Sequence, residues 1–171
     1  MVHEMNPRTN RTASVAILGL VLLSYGQLLA QQTSTPDERA QWVEVANKLE
    51  SSPLDENVNK QGESALNQIS RAHDIHVPLC PALLSEFNGM KYTYSHAITR
   101  QYMLASAVFL IENPSKADDR SAMNLAAVES VLKVYTAILQ QKPDAKAKVL
   151  DDLLHRQKQG KLAEYVDKKC P

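Results

Sequence analysis

The sequence predicts an all-α domain, a compact single-domain bundle of about five to seven helices with the fourth and fifth at its centre. Three observations carry this. Beyond residue 30 only Gly62, Gly89 and Gly160 remain of the glycines, while Ala, Leu, Lys, Gln and Glu abound, a composition that favours helix. Apolar residues recur at spacings of three and four, the period of a helix face. The most β-like runs, Val108-Phe109 and residues 131–135, lie inside segments with that same spacing, so almost no strand is expected.

The chain opens on an address. Arg8 and Arg11 precede an eleven-residue apolar run over 13–23, Gly26 breaks it, and Leu28-Leu29-Ala30 places a small residue ahead of Gln31. That is the pattern of a secretory signal peptide, residues 1–30, with either Met1 or Met5 as the start. A membrane anchor needs about 20 continuous apolar residues, nearly twice this run. No cysteine stands at the cleavage point to take a lipid, and no Arg-Arg pair marks folded export. Residues 31–171 are therefore expected to form one exported α-helical domain, periplasmic or extracellular, with no membrane span after cleavage.

The elements follow in order. Thr35-Pro36-Asp37-Glu38 is a capping box opening the first helix, 36–50, whose buried face is Trp42, Val45, Ala46 and Leu49. Ser51-Ser52-Pro53 is expected to stop it and cap the second, 53–72, which turns Leu54, Val58, Ala65, Leu66 and Ile69 inward. Gly62 costs that helix about 1 kcal/mol relative to alanine, which points to a kink or a close helix contact. Period disappears over residues 73–81, where two prolines mark a connector. A short helix over 81–87 ends at Asn88-Gly89, a natural C-cap. The fourth helix, 93–112, is apolar on nearly every side from Tyr102 to Ile111 and should be surrounded; aspartate at Ala107 or Leu110 is expected to unfold the domain.

After Asn113-Pro114, the fifth helix, 116–141, carries Leu125, Val128, Leu132, Tyr135 and Leu139 beside a second stripe of Ala127, Val131, Val134 and Ile138, a seam wide enough for two neighbours. Pro143-Asp144 opens the sixth, with Val149, Leu150, Leu153 and Leu154 inside; Gly160 closes it, and a last helix over 162–168 is anchored by Leu162, Tyr165 and Val166. The prolines that end helices at 53, 114 and 143 do not keep the period of about 34 residues that a tetratricopeptide array requires.

Composition excludes some functions. Without residues 1–30 the chain has 17 basic and 18 acidic residues, interspersed, which gives neither nucleic acid nor an anionic membrane surface a basic face. Cys80 and Cys170 are the only cysteines, and in an exported chain an intramolecular disulfide is expected, with two free thiols or an intermolecular bridge as the alternatives. His73-x-x-His76 with Cys80 has metal-like spacing, but a bridged sulfur cannot ligate and two histidines make a poor zinc site. His96 and His155 fall in helices, where surface roles are ordinary. Hydrolase, zinc-protease, phosphate-loop and dinucleotide motifs are absent, and the acidic pairs Asp118-Asp119 and Asp151-Asp152 fit helix starts or exposed faces. No catalytic, cofactor-binding or metal-ligating residue is assigned. Met90, Tyr92, Tyr94 and Tyr102, with Met103, form an aromatic and sulfur-rich patch that serves as the rim of a small core or as a ligand groove.

Lys91-Tyr92-Thr93-Tyr94, Ile111-Glu112-Asn113-Pro114, residues 131–135 with Ile138-Leu139, and Leu150-Asp151-Asp152-Leu153-Leu154 together resemble a group of secreted bacterial all-helical proteins of unknown function, over residues 38–168. The resemblance implies export and a compact α domain and supplies no activity. The expectation is an exported helical protein that acts non-catalytically, through a protein partner or as an envelope-associated structural module. The alternatives are a small apolar ligand held near Met90, Tyr92 and Tyr94, or an enzyme of unrecognised type.

Overall fold

Seven helices joined by short links make up the described part of the chain. The computed structural model describes residues 33–171, so the expected leader and its cleavage after Ala30 lie outside the described residues. The helices are α1 (Pro36–Ser51), α2 (Glu56–Ile69), α3 (Pro81–Gly89), α4 (Ser95–Glu112), α5 (Arg120–Gln141), α6 (Lys148–Lys158) and α7 (Leu162–Lys169), and the described residues contain no strand.

The starts are set by side chains that take up orphan amide groups. Thr35 and Glu38 close the capping box reciprocally: the Glu38 N–H donates to the Thr35 hydroxyl at 3.2 Å, and the Thr35 N–H donates to the Glu38 carboxylate at 2.7 Å. The second helix begins later than the sequence suggests, because Asp55 is its cap and not Ser52; its carboxylate accepts from the Asn57 and Val58 N–H groups. Asp119 caps α5 by accepting from the Ala122 N–H, after a 3-10 turn over Pro114–Lys116. Helix α6 starts at Lys148, well past Pro143-Asp144, because the buried Tyr135 hydroxyl accepts the Ala147 N–H at 2.9 Å and donates to Asp151 at 2.8 Å. At the other ends, α3 continues through Gly89 without a left-handed residue, whereas Gly160 takes φ +69° and terminates α6 as expected.

The core has two parts, and α4 belongs to both. Ile98, Tyr102 and Ala105 face a cluster built with α3, α5, α6 and α7 around Leu83, Phe87, Val131, Tyr135, Leu150 and Val166. Leu104 and Ala107 face a second cluster, formed with Trp42, Val45, Ala46 and Leu49 of α1 and Ala65 and Ile69 of α2. Helices α4 and α5 therefore form the centre, as the sequence predicts. Among the described residues α5 is the helix long and apolar enough to cross a bilayer, and 61% of its most apolar window is buried inside the domain.

Polar side chains pin these layers together. Successive residues of a helix point about 100° apart, so three in a row address three directions. Arg100 donates to Glu63 at 2.7 Å and to Asn59, both on α2. Gln101 donates to Ser130 of α5 at 2.7 Å and to the Ala46 carbonyl of α1 at 3.2 Å, and Ser130 donates on to Glu50. Tyr102 donates to Asn124 of α5 at 2.6 Å and accepts the Cys80 N–H at 3.1 Å. Burial pushes the Tyr102 phenol above its usual range, so it stays a donor at any ordinary pH.

One expectation is corrected. The apolar run of α4 is not enclosed throughout: Val108, Phe109, Leu110 and Ile111 are only half-buried. Four consecutive apolar residues occupy the whole circumference of a helix, and the bundle supplies neighbours for only part of that last turn.

Candidate functional site

The connector between α2 and α3 has two anchors. At one end, the Asp74 carboxylate accepts the Ser34 N–H at 2.9 Å, the Ser34 hydroxyl at 2.8 Å and the Arg39 guanidinium at 2.5 Å, and Arg39 also donates to the Ser34 hydroxyl oxygen. Those bonds, those from Ser34 foremost, hold the carboxyl well below the ordinary carboxylate range. At the other end, Cys80 is joined to Cys170 by a disulfide with Cα atoms 5.7 Å apart, as the cysteine count predicts for an exported chain. Around that bond, Tyr165 of α7 donates to Glu86 at 3.0 Å, Lys169 pairs with Glu86 at 3.1 Å, and Arg156 stacks 4.6 Å from the Tyr165 ring centroid.

Between the anchors the backbone pairs with little. The Leu79 N–H donates to the Val77 carbonyl across Pro78. Beyond the turn at His73 and Asp74, the N–H groups of His76 and Val77 make no backbone hydrogen bond among the described residues. Ile75, Val77 and Leu79 are half-buried, while His73 and His76 are exposed.

Grooves open on both sides of this segment. The larger, about 550 Å³, has an apolar floor of Ile75, Pro78, Leu110, Ile111, Pro114 and Ala117 and a rim of Arg39, Asp74, His76, Asp118 and Arg120. The half-buried end of α4 thus forms a wall of this groove. The second, about 390 Å³, is lined chiefly by Leu66, Ile69, Ala72, Val77, Leu79 and Met103. Ile75 and His76 border both grooves.

The tyrosine patch is arranged differently. Tyr102 is fully buried, edge-on to Phe87 at 5.6 Å, and lines no open groove. Tyr92 packs edge-on to Tyr94 at 5.5 Å and to Tyr135 at 6.1 Å, with half-buried Met90 against the same core. Burial raises the phenols of Tyr92 and Tyr135, the latter to about 12, and the Tyr92 hydroxyl is enclosed with no hydrogen-bond partner among the described residues.

Other candidates fall into structural roles. His73 and His76 stay exposed, Cys80 is bridged, and among the described residues no three His, Cys, Asp or Glu side chains gather as a metal site. Asp119 and Asp151 serve helix starts, and His96 lies 3.6 Å from Glu63 on the surface. The grooves escape sequence reasoning because their walls come from residues far apart in the chain. Their one linear trace is the alternation Ile75, Val77, Leu79 inside an aperiodic segment.

No family model, no curated protein and no solved structure matches this chain.

Proposed function

We propose that this chain is an exported, non-catalytic helical module that acts by binding another protein. The observation that carries the reading is the larger connector groove, where apolar side chains that a closed bundle would cover are left half-open within a charged rim. Export is supported by the leader pattern of residues 1–30, by the resemblance to secreted helical proteins, and by a bond between the only two cysteines, a state natural to oxidising compartments.

The test places a photo-crosslinking amino acid at Leu110, on the groove wall, and at Lys48, on the exposed side of α1. Illumination of cells should give discrete protein adducts from position 110 in the exported fraction, and none from position 48. Absence of adducts at 110, or recovery of the protein from the cytosol with residues 1–30 attached, would overturn the reading.

A further inference from the structure

We infer that Asn88 is a site of covalent self-modification that the fold holds back through Thr99. The reaction is cyclisation of the Asn88 side-chain amide onto the main chain, followed by hydrolysis to aspartate or isoaspartate. Asn88-Gly89 is the only Asn-Gly pair in the sequence, and both residues are exposed at the end of α3. Glycine is the following residue that favours this chemistry most, because without a Cβ it leaves its nitrogen unshielded and lets the backbone turn freely.

The step needs only this chain and water. Hydroxide takes the Gly89 N–H proton, the nitrogen lone pair attacks Asn88 Cγ, and the Cγ–Nδ2 bond breaks. The amide nitrogen leaves as ammonia, with a proton from water, and a cyclic imide remains. Water then opens the ring. Cleavage at Cγ gives aspartate, whereas cleavage at the Asn88 main-chain carbonyl gives isoaspartate, with the chain now running through Cγ.

Two features of the fold oppose ring closure. Asn88 and Gly89 both lie inside α3, so Asn88 keeps a helical ψ that holds the reacting atoms apart, and the Gly89 N–H is used by the helix. The Thr99 hydroxyl of α4 donates to Asn88 Oδ1 at 3.0 Å and ties the side chain down. Each hydrogen bond that must open slows the reaction roughly three- to tenfold. The folded chain should therefore react at least about tenfold more slowly than the unfolded one. The block is local, because α3 ends at Gly89 without a left-handed cap, and a last turn frays before the bundle unfolds.

Modification would be felt beyond residue 88. A carboxylate there faces the negative end of the α3 dipole, and isoaspartate adds a main-chain carbon beside the fully buried Phe87. The neighbouring Glu86 accepts from Tyr165 and pairs with Lys169, so a disturbed last turn of α3 also weakens the seat of α7.

The test incubates purified, disulfide-bonded protein at mildly alkaline pH and follows the exchange of amide for acid by peptide mass spectrometry, with isoaspartate detected by enzymatic methylation. The parent should convert at Asn88 before any other asparagine, and the same chain held in denaturant at least about tenfold faster. Thr99→Val, which removes the hydroxyl at nearly constant volume, should convert roughly three- to tenfold faster than the folded parent. Thr99→Ser, which keeps the hydroxyl, should stay near the parent rate, and Gly89→Ala should be slower than the parent. Unchanged amide exchange in α5 establishes that Thr99→Val acts at α3 and not by unfolding. Equal rates for the valine and serine variants overturn the role of Thr99. Equal rates for folded and unfolded parent overturn the protection, and no conversion at Asn88 over about a hundredfold longer than the unfolded half-life overturns the site itself.

Discussion

Single residues show how closely this bundle is fitted. A Cβ added to Gly62 would lie 2.9 Å from Leu49 Cδ1 and 3.1 Å from Arg100 Nε, and the guanidinium has no slack because it is bound to Glu63 and Asn59. Alanine normally gains about 1 kcal/mol over glycine inside a helix, but forced overlap costs about 1–3 kcal/mol. Gly62→Ala should therefore lower the melting temperature, whereas Gly89→Ala, with nothing within 4 Å and no positive φ, should raise it slightly. Calorimetry of the two variants checks both signs. Asp74 makes a second case. Its folded pKa is depressed, so its contribution to stability is fully present above the unfolded value near 4 and is lost as the pH falls further. Melting temperatures below about pH 4 should therefore fall less steeply for Asp74→Asn than for the parent, and the variant should be the less stable of the two at neutral pH.

At the scale of the element, α4 divides in two. Ala107 is fully buried, so Ala107→Asp places an unpaired charge in a closed core at a cost of several kcal/mol, comparable with the whole stability of a domain. Leu110 stands half-buried on a groove wall, and Leu110→Asp should leave a cooperative melt while disabling the groove. Thermal circular dichroism separates the outcomes: two unfolded variants would mean that the end of α4 is as enclosed as its middle. Helix α6 depends on one hydroxyl. Tyr135→Phe strands the Ala147 N–H, which should cost about 1–3 kcal/mol and speed amide exchange in the first turn of α6 before the rest of the helix.

For the whole molecule, the staple between Cys80 and Cys170 closes a sequence separation of 90, worth roughly 4–5 kcal/mol on the loop-entropy model. Reduction should lower stability by about that amount less any relief of strain, and loosen α7 first. Leu162, Val166 and the Tyr165–Glu86 bond remain to hold α7 against the bundle, so the helices around α4 and α5 should stay packed. Thiol labelling of unfolded, unreduced protein should find no free sulfhydryl. Two labelled thiols would remove the staple and free the connector end at Cys80.

Much of this architecture was legible in the chain, for local reasons. The buried face of α1, the paired stripes of α5, the capping box and the stop at Gly160 depend on residues a few positions apart, and helical period with capping chemistry specifies them without reference to the rest. Boundaries were misjudged where a distant partner intervenes: α6 begins at Lys148 because Tyr135 reaches across to Ala147. Arg100 and Gln101 are polar residues inside α4, yet both are buried, since only the packed bundle brings Asn59, Glu63, Ala46 and Ser130 to them. The connector groove is the strongest instance. Its floor joins residues 75–78 to 110–117, and periodicity, being a property of neighbours in sequence, carries no information about which apolar residues a finite set of helices will fail to cover. The sequence by itself determined the fold class, the central pair of helices and the pairing of its two cysteines; the tertiary structure alone decided where the apolar surface stays open, because coverage is settled by how the helices meet in space.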